Sequence, residues 1–163
     1  MIKVMIFITI IVILLLVYFI SYYKLKDITD RILFSEKNLE ETLTNKANLI
    51  TKINTEIKSK LEKKTYLKDY ININKQNLTN IEKDIKLDEA YKLIKNLKSD
   101  IPDINTDNFK KLFKELKSND ETLIASKKLY NKYSEESNNI IRKFPNNIVA
   151  KITGKRIRAF FNV

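Results

Sequence analysis

The sequence predicts an all-α protein, with one N-terminal transmembrane helix followed by an antiparallel bundle of long helices. Three observations predict it. Val4 to Tyr23 reads VMIFITIIVILLLVYFISYY, without a charge. Between Met1 and Ile101 there is neither Gly nor Pro, so nothing in the covalent chain obliges a helix to stop. After the apolar run, hydrophobic residues recur at steps of three, four and seven, the spacing of one helical face.

The apolar run comes first. Its length at helical rise is about 30 Å, the thickness of a bilayer's hydrocarbon layer. Tyr18, Tyr22 and Tyr23 gather toward its C-terminal end, where amphipathic rings suit the headgroup boundary. The run is longer than the apolar region of a cleaved signal peptide, and the chain continues as SYYKLKD, with no small-residue cleavage site. A retained anchor is the expectation. Lys3 and the α-amino group precede the run, whereas Lys24, Lys26, Arg31 and Lys37 follow it. The larger positive count therefore places the rest of the chain on the cytoplasmic side, although Asp27 and Asp30 dilute the difference.

The next helix continues from the anchor. Leu25, Ile28, Ile32, Leu39, Leu43, Ile50, Ile53, Ile57 and Leu61 form its apolar face, with Lys, Asn, Glu and Thr on the other. Glu56 and Lys60 make a favourable pair four residues apart. From Lys63 to Asn80 the pattern weakens, and a break is expected there. Leu87, Tyr91, Ile94 and Leu97 carry a second stripe, which the turn chemistry of Ser99–Asp103 with Pro102 ends. Thr106 suits the N-cap of a further helix with Asp107 in its first turn. Phe109, Leu112, Phe113, Leu116, Leu123, Tyr130, Ile141 and Phe144 continue at helical spacing until Pro145. Such stripes are core, and helices joined by short connections pack as antiparallel neighbours.

Composition excludes much chemistry. The chain has 163 residues and a formal charge of +11, with no Cys, His or Trp and a single Gly. Zinc fingers, disulfide scaffolds, His-containing triads and Cys nucleophiles are therefore excluded. So are glycine-rich phosphate loops, which need several Gly, and di-iron bundles built on Glu-x-x-His pairs. Residues 24–163 suffice for one domain with one core. The basic residues are nearly all Lys and are spread over every helix, so nucleic acid is not an expected partner.

A more specific pattern runs from Pro102 to Gly154. It comprises Pro102 in a turn, Asn108–Phe109 at a helix start, Glu121, the basic pair Lys127–Lys128, Tyr130–Asn131, Asn138, Phe144–Pro145, Ala150 and Gly154. Earlier, Lys46-Ala47-Asn48-Leu49-Ile50 forms a basic-x-x-Leu-Ile segment. In these residues the chain resembles the LemA family of small bacterial membrane-anchored proteins. Ser134 and Ser137 stand where that family tends to have Val and Tyr, and Lys155 where an aromatic is usual. The resemblance implies a bundle of long helices behind an N-terminal helix in a bacterial cell membrane. It implies no reaction and no cofactor.

The organisation expected is an anchor at 1–23, a LemA-like bundle at 24–154 and a basic, aromatic tail at 155–163. Glu121, Tyr130, Asn131 and Asn138 are candidates for a polar cluster beside the apolar stripe. A buried cluster of this kind more often fixes helix register than binds a ligand. Arg142, Lys143, Lys151, Lys155, Arg156 and Arg158 form a C-terminal basic set without an acid, interleaved with Ile148, Ile152, Ile157, Phe160 and Phe161. That set suits an anionic membrane surface. The expected function is a non-enzymatic, membrane-anchored scaffold or interaction protein, with a lipid-associated membrane-shaping protein as the alternative. Its expected partners are the bilayer, through residues 4–23, and a protein of unknown identity. Self-association stays open, and neither metal nor cofactor is expected.

Overall fold

The computed structural model describes residues 1–60, 67–101, 104 and 106–163. Its helices are α1 (Ile2–Lys60), α2 (Asn80–Asp100), α3 (Asp107–Arg142) and α4 (Asn146–Ile152), with 3-10 turns at Lys68–Tyr70 and Ile73–Lys75. Among the described residues no strand occurs, and the all-α class with an apolar N-terminal helix holds. α1 is long and apolar enough to cross a membrane by length and composition. Part of the break expected between Lys63 and Asn80, and the turn at Pro102, lie outside the described residues.

The chain divides into two compact units, one of residues 1–36 and 128–162, the other of residues 37–127 with Val163. The second unit buries Leu39, Leu43, Ile50, Ile53 and Ile57 of α1 together with Leu87, Ala90, Ile94 and Leu97 of α2 and Phe109, Leu116 and Leu123 of α3. Each of the Leu, Ile and Phe side chains contributes about 1.5–3 kcal/mol on leaving water. Lys46 of α1 bonds Asp88 of α2 and Asp120 of α3, while Glu56, farther along α1, accepts from Thr106 and Asn108. Residue numbers thus rise along α1 as they fall along α3, so these two are antiparallel. α2 runs in the direction of α1, because its end at Asp100 lies six residues before Thr106. The chain between α1 and α2 makes this arrangement attainable. Asn74 donates to the Thr44 carbonyl and to Asn48 Oδ1, so the chain has returned along α1 before α2 begins. Short connections do give antiparallel neighbours at α2 and α3, whereas the long one joins parallel helices.

Helix ends follow local chemistry. Thr79 and Glu82 form a capping box at α2, with Glu82 N donating to Thr79 Oγ1 at 3.3 Å and Thr79 N donating to Glu82 Oε2 at 2.8 Å. Thr106 caps α3 as the sequence predicts, accepting from Phe109 N at 3.1 Å. α3 ends at Arg142, three residues before Pro145, and the Phe144–Pro145 peptide is cis.

The first unit buries Leu25, Ile28 and Ile32 of α1 with Tyr130, Ile140, Val149, Ala150 and Phe161. Gly154 closes α4 in the left-handed region at φ 68°. Its N–H donates to the Lys151 carbonyl at 3.4 Å, and the next N–H, of Lys155, donates to the Ala150 carbonyl at 2.8 Å. These two bonds make a Schellman motif, whose positive-φ residue is normally glycine.

Candidate functional site

Two polar networks stand out, one in each unit. In the second unit three helices converge on two buried lysines. Lys46 is fully buried, and its Nζ donates to Asp88 Oδ1 and Asp120 Oδ1, each at 2.6 Å. The same ammonium lies 5.4 Å from the centre of the Tyr91 ring. Lys127 of α3 pairs with Asp84 of α2 at 2.7 Å and reaches Asp88 at 3.8 Å. Asp88 therefore joins the two lysines into one chain of charge. Burial pushes the Asp84 carboxyl above the usual carboxylate range, and the Lys127 hydrogen bond opposes that only in part. Burial likewise raises the Tyr91 phenol, with Asp120 adding to it.

Each lysine lies between two carboxylates, Lys46 between Asp88 and Asp120 and Lys127 between Asp84 and Asp88. Buried charges favour the one helix register in which they meet their partners. Among the described residues no group of three or more acids is arranged to hold a metal ion.

The network of the first unit is a clamp on the C-terminal segment. Asn131 Nδ2 donates to the Phe161 carbonyl at 2.8 Å, and Asn131 Oδ1 accepts from Phe161 N at 2.9 Å. Asn138 repeats the pattern on Arg158, at 2.9 and 2.8 Å. Each side-chain amide thus satisfies both backbone groups of one residue, as a neighbouring strand would. The two asparagines are seven residues apart on α3, about 10 Å along one face, which matches three residues of extended chain. The segment therefore runs antiparallel to α3. The Phe161 ring, 6% exposed, meets Tyr130 edge-on at 5.2 Å between centres. Arg158 also pairs with Glu36 of α1 at 3.7 Å. A cavity of about 410 Å³ opens beside this segment, between Leu25 and Ile32 of α1, Ser137 and Ile141 of α3, and residues 153–158.

The residues singled out in the sequence fall into separate places. Of the proposed polar cluster, Tyr130, Asn131 and Asn138 come together on the C-terminal segment, while Glu121 is exposed. Asn108 Nδ2 donates to Glu56 Oε2 at 2.7 Å, and Phe109 is buried with its ring stacked at 6.1 Å on Phe113. Ile50 and Ala150 are buried, Leu49 and Pro145 half-buried, Phe144 exposed, and Pro102 lies outside the described residues. Arg142, Lys143, Lys151 and Arg156 are exposed, with Lys155 and Arg158 half-buried.

Sequence reasoning missed the buried charges. Their signal lay in the sevenfold steps of the apolar stripes. Lys46 fills the step from Leu43 to Ile50, and Lys127 that from Leu123 to Tyr130.

Fold and sites together define an all-α protein of long helices, with one apolar N-terminal helix and a clamped C-terminal segment. The LemA family model matches residues 35–163, and the chain belongs to the LemA family. No curated protein and no solved structure matches the chain. The matched region includes Lys46, Tyr130–Asn131 and the whole segment that the asparagines clamp.

Proposed function

We propose that this chain is a membrane-anchored helical scaffold, which presents a bundle face to a protein partner close to a bacterial cell membrane. One observation carries the reading. Residues 2–16 of α1 are exposed apolar side chains apart from Lys3 and Thr9, and the same unbroken helix continues into the core of the bundle. Apolar surface on that scale is covered by lipid, since a water-soluble chain does not leave it bare. The one apolar run supports a single pass, and the lysines after it support a cytoplasmic bundle. The absence of His and Cys and the paired state of both buried lysines favour a binding role over an enzymatic one.

In-cell crosslinking of the full chain tests this. Reproducible recovery of one protein, or of a second copy, is the expected result. Recovery of neither, with the chain present in the membrane fraction, overturns it.

A further inference from the structure

We propose that α4 dips into the headgroup layer of the bilayer that α1 crosses, and that this surface is anionic. Phe144, Ile148 and Ile152 follow one another at steps of four and are 78%, 51% and 67% exposed. Ile148 and Ile152 lie on one side of α4, whose other side buries Asn146, Val149 and Ala150 in the unit, while Phe144 stands exposed in the turn just before the helix. Between Arg142 and Val163 there is no acid, and exposed Arg142, Lys143 and Lys151 flank these apolar residues. A short helix with apolar residues on one side and cations around it fits a lipid surface.

The occupant is fixed by position and charge. Lys143 and Asn146 line a cavity with Glu136 of α3 and with Lys24, the first charge after the apolar run. Ser21, inside that run, is only 2% exposed, and Val17 and Tyr18 are half-buried. The C-terminal elements of the unit therefore pack as far up α1 as the end of its apolar segment, which is where the hydrocarbon would begin. A second copy of the same cationic face would be repelled, whereas anionic headgroups would be attracted. The inference deepens the anchored reading and rests on it.

Because the chain has no Cys, single probes are clean. Ile152→Cys, Leu14→Cys and Lys117→Cys are each labelled with an environment-sensitive fluorophore, and the full chain is reconstituted in vesicles of phosphatidylcholine with phosphatidylglycerol. The probe at 152 is expected to be quenched by nitroxide placed shallowly on lipid chains. It should resist aqueous iodide about threefold better than the probe at 117, as suits an apolar face lying about 5–10 Å deep. Iodide quenching equal to that at 117, or a shifted emission without lipid quenching, overturns the proposal. Equal lipid quenching in phosphatidylcholine alone overturns its anionic half. Loss of lipid quenching at 14 overturns the anchor itself, which separates the two failures.

Discussion

At the scale of single residues, the two lysines set the character of the core. A buried ammonium is costly to desolvate, and its partners offset that only when geometry is good. Lys46 has two carboxylate oxygens at 2.6 Å. Lys46→Met leaves Asp120 facing Asp88 without their shared cation, and Asp88 with only Lys127 at 3.8 Å. Because the Asp88 side chain is 42% exposed, water moderates the penalty, and the expected loss is about 3 kcal/mol, at the low end for a broken buried pair. Denaturant unfolding of the full chain in detergent checks this, and adding Asp88→Asn and Asp120→Asn should recover most of the loss. A loss confined to a few tenths would mean that the pair is solvated.

Asp84 gives a pH signature of known sign. Burial raises its carboxyl above the ordinary value of 3.8, so the folded state binds that proton more tightly than the unfolded chain. Stability from this residue therefore falls as pH rises through the interval above 3.8, and is regained on acidification. Glu82, lowered by its bonds to Thr79, acts in the opposite sense and loses stability as pH falls. The stability gap between the natural chain and Asp84→Asn should move in favour of the natural chain as pH drops from neutral toward about 4. Unfolding curves at a series of pH values read that gap directly, and movement the other way contradicts the burial argument.

Elements were legible to different degrees, for physical reasons. α1 and the start of α3 could be read because uninterrupted helical periodicity and an N-cap threonine are local signals. The parallel course of α2 could not, since it depends on where the chain around Asn74 returns. Neither could the role of Asn131 and Asn138, because a side-chain amide that pairs with a distant backbone leaves no periodic trace. The family resemblance marked those positions without giving the reason, which is the clamp. The same clamp explains how an irregular segment holds its backbone polar groups without helix or sheet. Asn131→Ala with Asn138→Ala removes four hydrogen bonds. Amide exchange at Arg158 and Phe161 should then accelerate by at least about tenfold, a change of roughly 1.4 kcal/mol in local opening. The exposed neighbour Asn139→Ala should leave both amides unchanged. Unaltered protection in the double variant would assign the segment's order to the Phe161 ring alone.

For the whole molecule, the decisive property is which side of the membrane carries the bundle. Only Lys3 and the α-amino group stand before the apolar run, against Lys24, Lys26, Arg31 and Lys37 after it, and orientation follows such counts near the ends of a span. Asp27 pairs with Arg31 at 2.9 Å, but acids weigh little in this bias. The cytoplasmic side is therefore expected. Ser118→Cys on the exposed face of α3 supplies the only thiol in the chain. A membrane-impermeant maleimide should label it only after cells are permeabilised, and partners are then cytoplasmic proteins and the inner leaflet. Labelling of intact cells would reverse the orientation. Arg142, Lys143 and Lys151 would then face the outer leaflet, and the partner search would move to the cell envelope. Replacing Lys24, Lys26 and Arg31 with Gln should weaken the bias and produce a mixed population, in which intact cells label partially. A population that stays uniform would mean that something other than flanking charge fixes the topology.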